Sequence, residues 1–398
     1  MTPERYLLAM ILFHTTTLGI AGAVAARWWR TGRAALPAWR WIRSLVIDLG
    51  TASVVTYAVS LLATTATNLD YGRRVYLGEI SGRLMGQALF GEAILVATAL
   101  AWAHRRVRQR MRAAACGACA AALVVLYVEA YRIEPRMLKV RRHVVNADFR
   151  DAAPIRILHL TDIQTPAIGA HEERALRTGL ASHPDLIVFT GDYVQDALGR
   201  PTEDDAARDL RALMMRIGFD APLGVYATEG DVGPSCREVF AGTPVRCLAD
   251  ASTVVTLPDG DTLGITGLSG GRGRERDPAW LAWLLSKGPG ADHRIVISHA
   301  PDFVDAMPVS VDLVLAGHTH GGQFVLPFFG PVVTASRLPR LFAGGLHDFR
   351  GTPLHVSRGV GMERGFSPPV RFLCPPEICV LDLRLSRAGG ASRSGRSS

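Results

Sequence analysis

The chain has 398 residues, 48% of them hydrophobic, and a formal net charge of +8. That length leaves room for two or three domains. Residues 1–150 hold 20 Lys+Arg against 8 Asp+Glu, leaving 24 against 28 for the remainder. The excess belongs to arginines punctuating apolar stretches, which argues against a nucleic-acid surface spread over one domain.

Four apolar segments come first: Tyr6–Ala26, Ser44–Ala66, Leu84–Ala103 and Ala113–Ala130. Each is near the roughly 20 residues a helix needs to cross the hydrocarbon of a bilayer. They predict a four-span domain over residues 1–130 and a multi-pass protein of the cell membrane. The first segment reads as an anchor rather than a removed signal peptide, because three more spans follow it. Arg27, Arg30, Arg33, Arg40 and Arg43 crowd the first connection, and Arg105, Arg106, Arg108, Arg110 and Arg112 the third. Basic connections stay cytoplasmic, which places both termini and the C-terminal domain outside. Arg132, Arg136, Lys139, Arg141 and Arg142 argue the other way. Glu92 falls within the third span, where a carboxylate faces the bundle or is protonated. It reads as a helix-packing hydrogen bond, with a proton or ligand site as the alternative. Cys116 and Cys119 form a CxxC inside an apolar helix, a poor setting for zinc or redox work. Cys236 and Cys247 are expected as unlinked thiols, or as a pair if the second half is extracytoplasmic.

Residues 131–153 are polar and charged, and read as a linker. From residue 154 to 386, short apolar runs alternate with charged helical segments. Ile155–Ile163, Asp185–Val194, Pro222–Gly230, His293–His299, Asp312–Leu315, Leu354–Val356 and Ile378–Leu385 read as strands. His171–Ser182, Thr202–Arg216 and Pro278–Leu285 read as helices. Thr253–Leu257 and Thr262–Leu268 flank Asp259–Gly260, a hairpin signal. The pattern predicts an α/β domain of layered mixed sheets. Residues 387–398, rich in Gly, Ser and Arg, read as a disordered tail.

Polar residues recur at the strand ends. Asp162 and Gln164 close the first strand, Asp192 the second, Asp231 the third and His299 another. Leu313–Ala316 runs into Gly317–His318–Thr319–His320–Gly321–Gly322. Residues two apart in an extended segment point the same way, so both imidazoles can converge past the strand end. Ligand-binding residues of such sheets gather beyond strand termini. A single Asp there usually caps a turn. Three carboxylates and three imidazoles at five strand ends instead point to a metal centre, and mixed N/O ligation suits Mn, Zn or Fe.

Over residues 155–385, these motifs resemble the calcineurin-like metallophosphoesterases. Gly317–Gln323 and His299–Ala300–Pro301–Asp302 are the specific ones. Val356–Gly361 and Cys374–Ile378 are similar to the membrane-associated bacterial branch of that family. The resemblance implies a four-layer αββα sandwich with two divalent metal ions. The first would take Asp162, Asp192 and His320. The second would take Asp192, Asp231, His299 and His318, with Asp192 bridging. The implied chemistry is metal-assisted hydrolysis of a phosphate ester, in which the ions activate water and clamp the phosphoryl oxygens.

Three positions depart from the family pattern. Gln164 stands where the family has a metal-binding His, and its amide oxygen is a weaker donor. Asp231 stands where the family has Asn. Val232 and Gly233 stand where the family has the His and Asp that follow. That His is the proposed general acid, a role worth roughly 10²–10⁴-fold, and Val232 cannot supply it. His347, in the 344–351 loop, is a candidate substitute, with a surface loop residue as the plainer reading. The sequence therefore supports a metal-dependent hydrolase whose leaving group needs little protonation, such as a phosphoanhydride or a phosphate-linked lipid head group. The alternatives are a non-catalytic metal- or partner-binding platform, and a sensor signalling through Glu92.

Overall fold

The computed structural model describes residues 90–91, 93–106, 108–146, 153–197, 202–288, 290–364 and 367–385. The expected spans Tyr6–Ala26 and Ser44–Ala66, the start of the third, Glu92 and the C-terminal tail lie outside these residues. The chain divides into two compact units. One comprises Met1–Ile133, Ala197–Gly199 and Glu363–Val370, and the other comprises the rest.

In the first unit, α1 (Ala93–Arg106) and α2 (Arg110–Val128) form an antiparallel helical pair. Phe90 packs edge-on against Tyr127 and Tyr131, with ring centroids 6.0 Å apart in both pairs. Among the described residues, the 27-residue helical run Arg110–Arg136 is long and apolar enough to cross a membrane by length and composition. Cys116 and Cys119 on α2 are free thiols.

The second unit holds two six-stranded mixed sheets. Its elements are β1 (Lys139–Val145), β2 (Ile155–Leu160), α3 (Ala170–Leu180), β3 (Leu186–Phe189), α4 (Glu203–Ile217) and β4 (Val225–Ala227). The short α5 (Cys236–Val239), β5 (Arg246–Cys247), β6 (Ala251–Thr256), β7 (Thr262–Gly267), α6 (Pro278–Lys287) and β8 (His293–Ile297) follow. The last are β9 (Leu313–Ala316), β10 (Val325–Leu326), β11 (Gly330–Pro331), β12 (Gly345–Phe349), β13 (Thr352–Val356) and β14 (Glu377–Leu383). One sheet runs β1-β14-β2-β3-β4-β5 and the other β12-β13-β9-β8-β7-β6.

The alternation of side chains builds the layers. In β3, Leu186 and Val188 face a core between the sheets, with Ile265, Ile295, Ile297, Leu313 and Leu315. Ile187 and Phe189 face the opposite side and pack with Leu176 of α3 and Leu210 and Leu213 of α4. On the second sheet, Val296 and Val314 pack with Leu281, Leu284 and Leu285 of α6. Both faces of each sheet are thus covered, which is why the strands read as unbroken apolar runs. Thr202 caps α4 by accepting from the Asp205 backbone N–H at 3.2 Å, and Gly218 in the left-handed region ends it.

Two expectations are revised. Lys139–Val145 lies in the segment read as a linker, yet it is strand β1, parallel to β14. It is an edge strand whose outward positions carry Arg141 and Arg142, so charge masked its pattern. Cys236 and Cys247, expected as separate thiols, are paired as a disulfide with Cα atoms 6.0 Å apart. The fold brings α5 alongside β5, a proximity that a spacing of 11 residues does not reveal.

Candidate metal centre

Each strand that ends near the centre hands its next residues to a tight loop. Asp162, Gln164, Asp192, His318 and His320 all lie at positive φ, at 48°, 38°, 53°, 68° and 49°. A non-glycine residue in that region costs about 1–2 kcal/mol. Such strain gathers where a site holds its residues in place. Gly191 is required beside Asp192, because a Cβ there would sit 2.7 Å from both Gly230 Cα and His299 Nδ1.

The loops bring most of the expected ligands together. Asp192 Oδ2 and Asp231 Oδ1 each lie 3.2 Å from His299 Nε2. His318 Nδ1 is 3.3 Å from His299 Nε2 and 3.5 Å from Asp231 Oδ2. His320 Nε2 is 3.4 Å from Asp162 Oδ1. Two sets have ligand atoms within 4.8 Å of one another: Asp231, His299 and His318, and Asp162, Asp192 and His299. His299, rather than the expected Asp192, is shared between these sets, and His320 falls in neither. Gln164 is buried in the same loop, and its backbone N–H donates to the Asp192 carbonyl at 2.9 Å, but it is in neither set.

Backbone contacts fix the orientation of the ligands. His299 Nδ1 is 2.8 Å from the Thr190 carbonyl oxygen and must carry the proton there. His318 Nε2 is likewise 3.1 Å from the Ala335 carbonyl oxygen. The opposite nitrogen of each ring then turns a lone pair into the cluster, which is how a metal-binding histidine is held. Asp192 Oδ1 accepts the backbone N–H groups of Asp231 at 2.9 Å and Val232 at 3.0 Å. Asp162 accepts the His318 backbone N–H at 3.1 Å and the Thr161 hydroxyl at 2.8 Å.

The electrostatics describe a site short of positive charge. Burial pushes the Asp162 carboxyl up to about 7, against the pull of His299 and with the push of Asp192. Burial also raises Asp192. Burial works against ionised Asp231 too, but His299, His318 and Arg274 override it and hold that carboxyl well below its ordinary range. Burial disfavours charge on His299, yet Asp192 and Asp231 raise its pKa well above normal. Burial, reinforced by His299, lowers His318 to about 4. Converging buried carboxylates beside the neutral imidazole of His318 form a donor set that fits divalent cations, and a bound cation would displace the proton that His299 holds in its absence.

Two arginines in the centre carry no signal in the sequence. The Arg274 guanidinium is hydrogen-bonded to Asp231 Oδ2 and lies 3.5 Å from His318 Nδ1. It comes from the glycine-rich turn 270–274, which packs on Gly230 so closely that a Cβ at Gly270 would collide with the Gly230 carbonyl. Arg371 is wholly buried and donates to the carbonyls of His320 at 2.9 Å and Arg358 at 2.7 Å, and also to Gly361. His347, the candidate substitute acid, bonds the Gly344 carbonyl at 2.9 Å and packs edge-on against Phe342. Its side chain is engaged within its own loop.

Residues 155–322 match the model of the calcineurin-like phosphoesterase family. The chain is similar to an uncharacterized metallophosphoesterase, YkuE, of Bacillus subtilis, at 27% identity over 65% of this chain and 90% of the relative. It is similar to phosphodiesterase YaeI of Escherichia coli, at 29% identity over 63% of this chain and 90% of the relative. It is also similar to the UDP-2,3-diacylglucosamine pyrophosphatase LpxG of Chlamydia trachomatis, at 27% identity over 66% of this chain and 94% of the relative.

Proposed function

We propose, from the premise that residues 155–322 are a calcineurin-like phosphoesterase domain, that this protein is a membrane-anchored, metal-dependent phosphohydrolase. The site suits a phosphoanhydride joined to a lipid or envelope component best. One observation carries the reading: Asp162, Asp192, Asp231, His299 and His318 meet at one centre, with Arg274 against it and Val232 where a proton donor would stand. Two divalent ions in this centre supply Lewis acidity and activate water when bound.

The chain's own residues do the rest. Thr190 and Ala335 hold the rings of His299 and His318 in their ligating tautomers. Asp162, Asp192 and Asp231 would supply the negative charge that holds the cations, and Gln164 and His320 beside them would be further ligands. The Arg274 guanidinium is placed to bind a phosphoryl oxygen beside Asp231, where charge grows in the transition state. An arginine does not give up its proton in proteins, so the leaving group must depart as a stable anion. Water attacks phosphorus and releases a proton to solvent, the bond to the bridging oxygen breaks, and that oxygen keeps the electron pair. A phosphate leaving group does this readily; an alkoxide does not. The similarity to LpxG, a UDP-2,3-diacylglucosamine pyrophosphatase, supports the anhydride form.

The apolar run Arg110–Arg136 supports the anchor. The Cys236–Cys247 pair supports an extracytoplasmic domain, since such bonds persist in oxidising compartments.

The purified full-length protein in Mn²⁺ should hydrolyse nucleoside-diphosphate sugars and aryl phosphodiesters but leave alkyl phosphodiesters intact. Equal rates on alkyl and anhydride substrates would contradict the missing acid. Metal binding with no turnover on any of them would favour the partner-binding platform.

A further inference from the structure

Beside the metal centre is an apolar hairpin that the catalytic reading leaves unused. Strands β10 and β11 pair antiparallel, Val325 with Pro331 and Leu326 with Gly330, and leave Pro327–Phe328–Phe329 at the tip. Phe328 is fully exposed, and Leu326, Phe329, Val332, Val333 and Leu341 are exposed around it. Apolar groups gathered in this way on a surface mark an interaction site rather than scatter. The tip is also strained: Phe328 is a bulky residue at φ 65°, outside the range such side chains favour.

The hairpin is tied to the ligand loop. A Cβ at Gly322 would come within 2.6 Å of Pro331 Cβ and 2.7 Å of the Val333 carbonyl. The Ala335 carbonyl that orients His318 follows directly in the chain. The base of the hairpin therefore lies at the rim of the metal centre.

The chemistry of the segment selects its partner. From residue 313 to residue 347 the sequence contains no Asp or Glu. Arg337 and Arg340 are exposed within it, and the Arg340 guanidinium lies 4.3 Å from the Phe329 ring centroid. Aromatic rings at a tip, flanked by arginines in a segment that has no acidic residue of its own, match the headgroup region of an anionic bilayer, where rings enter the interface and guanidinium groups meet phosphates. The tether is short as well. The helical run Arg110–Arg136 is followed by β1 at Lys139, so only Met137 and Leu138 intervene.

We infer that the hairpin tip Phe328–Phe329, with Leu341 and Arg340, docks into an anionic lipid surface and sets the metal centre against the bilayer to receive a substrate that stays in the membrane. The inference rests on the membrane-anchored reading above, and its test separates the two.

The test places a bimane label at Phe328→Cys in the full-length chain carrying Cys116→Ala and Cys119→Ala. The protein is reconstituted in vesicles of phosphatidylglycerol and phosphatidylcholine containing shallow doxyl-labelled lipid. Met215→Cys on the exposed face of α4 is the aqueous reference, and Val125→Cys on α2 reports the anchor. Quenching at Phe328→Cys should be several-fold stronger than at Met215→Cys and should weaken when phosphatidylglycerol is omitted. Quenching at Val125→Cys with none at Phe328→Cys overturns the docking and leaves the anchor standing. A signal at Phe328→Cys that changes with protein density but not with doxyl lipid also overturns it, because a second copy of the chain would then cover the tip. Neither readout depends on turnover.

Discussion

The Arg274 guanidinium is hydrogen-bonded to Asp231 Oδ2, while Asp231 Oδ1 lies 3.2 Å from His299 Nε2. One carboxylate thus joins the ligand cluster to a cation delivered by a separate turn. Asp231 can offer one oxygen to a metal ion and keep the other for Arg274. This gives a physical use to the acidic residue that replaces the family's Asn.

Replacing Arg274→Gln should therefore lower kcat on a phosphoanhydride by about 10²–10³-fold, the usual loss when one transition-state donor is removed. Metal content should stay the same, and Arg274→Lys should recover only part of the rate because it lacks the planar fork. Steady-state kinetics beside metal analysis check this. Val232→His is the companion variant: a gain on alkyl phosphodiesters would show a working site short of its acid. An Arg274→Gln enzyme with unchanged kcat would remove the arginine from the mechanism.

Metal affinity should depend on pH through Asp162. Burial raises its carboxyl from 3.8 to about 7 in the metal-free site, with Asp192 adding to the effect and His299 opposing it. A cation must displace that proton as well as the one His299 holds, so the apparent affinity should weaken as pH falls by about tenfold per unit for each proton released, and more steeply below about pH 7 where Asp162 contributes its own. The folding effect has the same origin. A carboxyl that binds its proton more tightly when folded favours the metal-free fold below pH 3.8, and that contribution is lost as pH rises through about 7. Mn²⁺ titration calorimetry near pH 6 and pH 8 measures the first effect. An affinity independent of pH across that window would count against Asp162 as a ligand.

Arg371 should prove structural. Its wholly buried guanidinium serves the carbonyls of His320, Arg358 and Gly361, which belong to three parts of the loop system around the centre. Arg371→Met would leave those acceptors unpaired, at about 1–3 kcal/mol each where water cannot replace the donor. A fall in Tm should accompany reduced metal content, because the His320 loop loses its support. A variant with the wild-type Tm would show that the loop holds itself.

The positions of the ligands were legible because they follow strands, and apolar runs that end in Asp or His can be read along the chain. Asp162, Asp192, Asp231 and His318 lie in the two clusters that share His299. Their left-handed backbone was not legible, since Asp and His, though enriched at positive φ, adopt it in only a small minority of positions. Arg274 and Arg371 were invisible for another reason. Arg274 reaches Asp231 across 43 residues and Arg371 reaches His320 across 51, and neither sits in a recognisable motif. Strand β1 was hidden by the charges of an edge strand, and the disulfide by dependence on how α5 and β5 are placed.

The central claim is that side chains from five separate strand ends hold divalent ions together. The most direct test is elemental analysis of the full-length protein, purified with Mn²⁺ present and then desalted, beside Asp192→Ala and His299→Ala. The account expects about two bound ions per chain in the wild type, as in a two-metal phosphohydrolase, and a loss of both in Asp192→Ala. Wild-type protein that retains no metal, or an Asp192→Ala variant that retains all of it, would contradict the account.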